Sequence, residues 1–165
     1  MKYQTVIGID PDVDKSGVAE LNPQSRILET TKLTFPLLLD FLQARKKMAD
    51  TARTTLIVIV EAGWLHKANW HLRQSDSKRI ASAKGNATGR NHETGRKIVE
   101  MCKHYGITVV EQYPLKKTWQ GPDGKITQKE LAYFTGLEGR TNQEERDAAL
   151  LAWNYAGLPV RVKCW

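Results

Sequence analysis

Apolar and polar residues alternate over the first part of the chain in a way that predicts strands. Residues 2–10, 17–21 and 26–33 are rich in β-branched and apolar side chains, and the polar turn 22–25 separates the last two. Strands joined by such short connections pair antiparallel. We therefore expect the chain to open with a three-stranded meander.

Further along, apolar residues at helical spacing alternate with short apolar runs. The run at residues 54–61 is typical of a strand buried on both faces, and residues 107–112 form another. Helices are predicted from Pro36 to Met48, from about Asn91 to Gly106, at 127–136 after a Thr127–Glu130 capping box, and at 144–156. Because parallel neighbours are joined through helices, this order predicts an α/β fold with a mixed five-stranded sheet flanked by helices.

Two of the predicted strands end on a carboxylate. Asp10 closes the first and Glu61 the fourth, while Glu144 and Asp147 share one face of the last helix because they are three residues apart. If the two strands are neighbours, the four side chains can converge on one spot. Such acids repel one another unless a cation neutralises them, and oxygen-only ligands favour Mg²⁺ or Mn²⁺ over Zn²⁺. Two such ions would suit phosphodiester hydrolysis.

The acids near the strand ends also have ordinary structural explanations. Asp10 precedes Pro11 and could only begin a turn, and Glu61 could be a surface residue at a strand end. Asp12 and Asp14 are interpreted as turn residues, although either could contribute to the site.

Helix capping competes with metal binding for Glu144. The pairs Thr141–Glu144 and Asn142–Glu145 both fit a capping box, and one carboxylate cannot serve both purposes. Asp147 lies among alanines, where a lone acid has little packing reason to be. We therefore rank Glu144 below Asp147 as a ligand.

Composition narrows the class of protein. A chain of 165 residues with 41% hydrophobic content suits a single domain, residues 1–165, with a full core. Its apolar runs are far shorter than the roughly 20 residues that a membrane span requires. The N-terminus enters a strand within a few residues, so we expect no signal peptide. Cys102 and Cys164 lack metal-binding spacing, which suits a reducing cytoplasm, and Cys102 is expected in the core.

The net charge of +7 is concentrated in residues 63–92. Against a single acid, Asp76, this segment has six basic residues: Lys67, Arg73, Lys78, Arg79, Lys84 and Arg90. Such a block attracts nucleic-acid phosphates, although it could be only a solvated surface. Trp64 and Trp70 could stack on bases at a branch point, or could belong to the core.

Several motifs, in order along the chain, resemble one nuclease family. They are Gly8–Ile9–Asp10–Pro11 followed by Ser16–Gly17, the strand Leu56 to Val60 ending on Glu61, Tyr113–Pro114 with Lys116–Lys117–Thr118, Lys125 before Thr127–Gln128–Lys129, and Glu144 to Leu150 with Asp147. Together they resemble the RuvC family of Holliday junction resolvases, in the RNase H-like superfamily. Asp12, where this family usually has glycine, and the long basic segment 63–92 depart from the family pattern.

The resemblance implies an RNase H-like sheet and a two-metal endodeoxyribonuclease that cleaves branched DNA as a homodimer. It assigns Asp10, Glu61, Glu144 and Asp147 as ligands of two Mg²⁺ ions, with Mn²⁺ as a substitute. Lys116 would be a catalytic contact to the phosphate, and Lys117 and Lys125 would bind DNA, unless all three are ordinary solvated lysines. A role in DNA recombination or repair and a bacterial or phage origin are also implied.

Three other functions share some of these features. An RNase H-like nuclease acting on RNA, hybrids or flaps would have the same metal site, so only substrate tests separate it. A nucleic-acid-binding module without catalysis is disfavoured because all four acids are present. An actin-like ATPase also has an aspartate in its first hairpin, but that fold needs two such domains, which 165 residues cannot supply.

Overall fold

The first part of the chain forms the expected meander in a computed structural model that describes residues 2–66 and 73–161. Strands β1 (Thr5–Asp10), β2 (Ser16–Asn22) and β3 (Ile27–Leu33) follow one another in sequence. β1 pairs antiparallel with β2, and β2 pairs antiparallel with β3. The prediction of a three-stranded opening is confirmed.

Two further strands extend the sheet on the other side of β1. β4 (Leu56–Glu61) pairs parallel with β1, and β5 (Thr108–Gln112) pairs parallel with β4. The sheet order is β3-β2-β1-β4-β5. Helices α1 (Phe35–Ala52) and α2 (Lys78–His104) make the connections that parallel strands require. The predicted α/β fold, a mixed five-stranded sheet flanked by helices, is confirmed.

The two faces of the sheet carry separate apolar clusters because side chains alternate along each strand. On one face Val6 and Ile59 pack against α4 (Gln143–Tyr155), which contributes the fully buried Trp153. On the other face Ile7 and Val58 pack with residues of α1 and α2. A short helix, α3 (Gln128–Thr135), precedes α4 and has the predicted Thr127–Glu130 capping box.

Helix α2 is longer than the sequence pattern predicts, since it begins at Lys78 and not near Asn91. Its buried residues are confined to the later part of the helix and begin at Gly95. The earlier part has no apolar stripe because it covers no core, so hydrophobic periodicity could not detect it. A sequence signal for the start of this helix is Ser77, whose side chain caps it by accepting from the backbone N–H of Ile80.

Two expectations about composition can be compared with the structure. Cys102 lies buried on α2, as predicted for a core residue, whereas Cys164 lies outside the described residues. Among residues 2–66 and 73–161, no helix has the length and apolar content needed to cross a membrane.

Candidate metal centre and nucleic-acid interface

Asp10 and Glu61 lie at the same edge of the sheet and on the same face. They are the last residues of β1 and β4, which are parallel neighbours with Ile9 opposite Val60. Their side chains follow the alternation of the face that packs against α4. The strand-end geometry expected from the sequence is therefore present.

Two glycines of the sheet allow the backbone of α4 to pack directly against β1 and β2. A Cβ added at Gly8 would collide with the carbonyl oxygen of Ala148, and one added at Gly17 would collide with that of Glu144. Gly17 is also the residue paired with Asp10 across β1 and β2. Close contact at these two points brings the first turns of α4, with their acids, over the end of β1.

The acids at this edge influence one another's ionisation. Burial, followed by the negative charges of Glu61, Asp147 and Glu144, raises the pKa of Asp10 well above its usual value. Burial and the charge of Asp147 raise the pKa of Glu61 to about 7. Burial also raises the pKa of Asp147. These carboxylates thus form one electrostatically strained group that a cation would relieve.

The capping competition at α4 is resolved in favour of Glu145. Asn142 accepts from the backbone N–H of Glu145, whose carboxylate accepts in return from the backbone N–H of Asn142. Glu144 is left free of capping, and its Oε2 atom lies 3.4 Å from Nζ of Lys32. Among the acids whose charges raise the pKa of Asp10, Glu144 has the weakest effect.

The four acids are neighbours without forming a closed ligand cage. Within the described ranges, 2–66 and 73–161, no three His, Cys, Asp or Glu side chains lie close enough together to hold one ion in common. The donor set nevertheless fits a hard divalent cation, because Asp10, Glu61 and Asp147 offer only carboxylate oxygens and interact electrostatically. The carboxylates would have to move closer together to share an ion.

Three lysines stand beside the acids. A narrow pocket of about 20 Å³ is lined by Glu61, Asp147, Lys116, Lys117 and Lys125, together with apolar neighbours. This volume suits a water or an ion and excludes a nucleotide. The charges of Lys117 and Lys125 lower the pKa values of Glu61 and Asp147, in opposition to burial.

The loop that carries Lys117 and Lys125 is folded back on itself. The backbone N–H of Trp119 donates to the carbonyl oxygen of Gly124 at 2.9 Å, and that of Gly121 donates to Lys125 at 3.0 Å. Gly124 has a φ of +71° and lies against the backbone of Lys117, where a Cβ would not fit. This turn brings Lys117 and Lys125 together beside Glu61 and Asp147.

The predicted DNA-contacting residues differ in their exposure and in whether they form ion pairs. Lys78, Arg79 and Arg90 are exposed on the first part of α2. Lys84 pairs with Asp76 at 2.7 Å, and Arg73 pairs with Asp123 at 3.3 Å. Lys67 and Trp70 lie outside the described residues.

Trp64 is half-buried between β5 and α2. Its indole N–H donates to Oε2 of Glu111 at 2.9 Å, and its ring fills the space above Gly95, where a Cβ would collide with it. The guanidinium of Arg96 stacks over the ring at 5.7 Å. These contacts favour the interpretation of Trp64 as a packing residue over that of a base-stacking wedge.

The turn after β1 is an aspartate turn fastened to α2. Oδ1 of Asp12 accepts from the backbone N–H groups of Asp14 and Lys15, as expected of a turn residue. Asn91 of α2 accepts from the backbone N–H of Val13 at 3.0 Å and donates to Oδ2 of Asp12 at 3.4 Å. Sequence reasoning missed Asn91, because no local pattern indicates a partner 78 residues away.

Comparisons with known proteins find similar solved structures and no match by sequence. No protein-family model and no curated protein matches the sequence. Among solved structures, Thermus thermophilus RuvC in complex with a Holliday junction substrate aligns over 93% of each chain with a TM-score of 0.47 and 18% identity. A structure of Thermus thermophilus RuvC aligns over 93% of this chain and 96% of that one, with a TM-score of 0.46 and 18% identity.

Proposed function

We propose that this protein is a divalent-metal-dependent endonuclease that hydrolyses phosphodiesters. The observation that supports the proposal is the meeting of Asp10, Glu61 and Asp147 at one sheet edge, with raised pKa values that a bound cation would reverse. When bound, Mg²⁺ or Mn²⁺ would supply an activated water and neutralise charge on the leaving oxygen. Asp10, which interacts with all three other acids, would be the ligand shared by two ions.

The lysines beside the acids have a separate role in this proposal. Lys116, Lys117 and Lys125 would hold the scissile phosphate against the carboxylates, which would otherwise repel it. Lys125 offsets the charge of Asp10 and of Glu61, so it stands where negative charge accumulates. Its ammonium group can therefore orient the phosphate before reaction.

We further propose branched DNA, such as a four-way junction, as the substrate and a homodimer as the acting form. The net charge of +7 and the exposed cations of α2 support a nucleic-acid substrate. Branched DNA, the dimer and a cytoplasmic location in a bacterium or phage-infected cell rest on the resemblance of the sequence motifs. A recombination or repair role would follow from that substrate.

A substrate panel tests the proposed activity. The protein would be incubated with Mg²⁺ and a four-way junction, a flap, a duplex or an RNA–DNA hybrid, and the products mapped. We expect the junction to be cut most efficiently, with paired incisions. Preferential cutting of the hybrid or flap would identify the alternative nuclease, and binding without any cutting would identify a catalytically inactive module.

Asp10→Asn tests the metal assignment. We expect cleavage to fall by about 1,000-fold or more while junction binding persists, since the shared ligand is lost and the basic surface is not. Asp14→Asn, which neutralises an exposed turn carboxylate two residues past Asp12, is the matched control and should retain activity. Full activity in Asp10→Asn would contradict the assignment.

A further inference from the structure

Arg146 of α4 has its guanidinium group fixed by three acceptors. Its Nε atom donates to the carbonyl oxygen of Ile126 at 3.0 Å, and Nη1 donates to that of Thr141 at 2.6 Å. Nη2 donates to the side-chain oxygen of Gln143 at 2.9 Å. A planar fork bound along three directions has little rotational freedom.

The bond from Arg146 also determines how the Gln143 amide is turned. Because the oxygen of that amide accepts from Arg146, its nitrogen must point the other way. This Nε2 atom donates to Oδ1 of Asp147 at 2.7 Å and lies 3.4 Å from the carbonyl oxygen of Ile126. One carboxylate oxygen of Asp147 is thereby fixed, and the other is left for a cation.

The same two side chains hold the loop that bears Lys125. Both Gln143 and Arg146 donate to the carbonyl oxygen of Ile126, the residue that follows Lys125. Ile126 is itself buried and lines the pocket that Glu61 and Asp147 share. One hydrogen-bonded unit, Gln143 with Arg146, therefore contacts both Asp147 and the backbone next to Lys125.

We propose that Gln143 and Arg146 are positioning residues for the metal centre, aiming Asp147 at the cation and keeping Lys125 beside it. The proposal rests on the proposed metal-dependent function. Neither side chain is the helix cap, which Asn142 and Glu145 provide. Ligand-bound side chains that are oriented by outer hydrogen bonds typically lose 10- to 100-fold in metal affinity when those bonds are removed.

Mn²⁺ titration of the metal-free protein without DNA tests this role. Gln143→Met keeps the side-chain volume and removes all three hydrogen bonds of the amide, to Asp147, Ile126 and Arg146. We expect the Kd for Mn²⁺ measured by calorimetry to rise about tenfold or more. Gln43→Met on α1, which also loses a side-chain amide bond, is the control and should bind Mn²⁺ as the wild type does. With a DNA substrate, Gln143→Met should lower kcat more than it raises KM.

Arg146→Lys is the second variant, because it keeps the charge near Asp147 and removes the planar fork. We expect it to weaken Mn²⁺ binding in the same direction as Gln143→Met. Mn²⁺ affinity within twofold of the wild type in both folded variants, even with a lower Tm, would show a purely structural clamp and overturn the proposal. A wild-type protein that binds no Mn²⁺ would overturn the proposed function first, and this inference with it.

Discussion

Helix α4 and the first part of α2 meet the rest of the molecule in opposite ways. α4 buries an unbroken run from Ala148 to Trp153 against the sheet, whereas α2 buries nothing before Gly95. Glycines beneath α4 permit direct backbone contact, while Gly85 of α2 has no atom within 4 Å of an added Cβ. The difference matches the proposed chemistry, because metal ligands need fixed positions and phosphate contacts tolerate movement.

The contact beneath α4 is where the largest effect is expected. Gly17→Ala would push a methyl group into the backbone of Glu144 and Glu145, with a Cβ only 2.8 Å from the Glu145 nitrogen. Overpacking against rigid backbone should cost about 3 kcal/mol of unfolding free energy in urea titrations. Cleavage should fall as well, since the acids of α4 would move away from Asp10.

Gly85→Ala on α2 is the matched control for that substitution. Its new methyl group meets open space within a helix. Alanine is the better helix former, so the free energy of unfolding should rise by roughly 0.5–1 kcal/mol. Equal destabilisation by the two substitutions would remove the contrast between the helices.

Repulsion between buried carboxylates should lower the stability of the metal-free protein at the acids beside α4 and not along the first part of α2. Because the pKa of Glu61 is raised from 4.5 to about 7, the metal-free folded state binds protons that the unfolded state has released, and stability declines as pH rises through this interval. Glu61→Gln should therefore stabilise the metal-free protein at pH 8 by up to about 3 kcal/mol. Below about pH 4.5 the gain should vanish.

Denaturation of metal-free wild type and variant at both pH values would measure this gain. Glu93→Gln, on the exposed part of α2, is the control. It should change the stability little at either pH, since exposed ion pairs contribute about 0–1 kcal/mol. A gain at pH 8 that persists unchanged at low pH would contradict the electrostatic explanation.

Charge removal on α2 should affect DNA binding and leave stability nearly unchanged. Neutralising Lys78 and Arg79 together to glutamine should weaken binding about tenfold and reduce the slope of log affinity against log salt by about 2, as two phosphate contacts are lost. Lys47→Gln with Lys103→Gln, at the ends of α1 and α2 that lead to the opposite sheet edge, is the control. Equal loss of affinity in both pairs would exclude the first part of α2 as the preferred DNA face.

A smaller effect is expected where the first part of α2 is bonded to the turn after β1. Asn91→Ala would remove the bonds from α2 to Val13 and Asp12 in the turn after β1. Loss of these part-buried bonds should cost about 1 kcal/mol. Asn86→Ala, at an exposed position of the same helix, should cost less. Thermal unfolding of both variants would show whether α2 supports the hairpin that carries Asp10.

Sequence reasoning succeeded where local pattern and tertiary role coincide. Apolar strands that end at Asp10 and Glu61, and the three-residue spacing of Glu144 and Asp147, indicate where the acids could meet if β1 and β4 are neighbours. The structure meets that condition, because the two strands pair directly. It failed for the start of α2, where a solvated helix has no apolar period. It also missed Gln143 and Arg146, since their partner Ile126 is brought to them only by folding.

The close packing of α4 on Gly8 and Gly17 affects how the protein unfolds locally. Because α4 lies directly on β1 and β2 at Gly8 and Gly17, these three elements cannot separate without losing their shared core. In native-state hydrogen exchange their amides should be released together in one cooperative event, whereas residues 78–92 should exchange through local fraying. The first part of α2, which we propose contacts DNA, would then fluctuate while the acidic edge stays assembled.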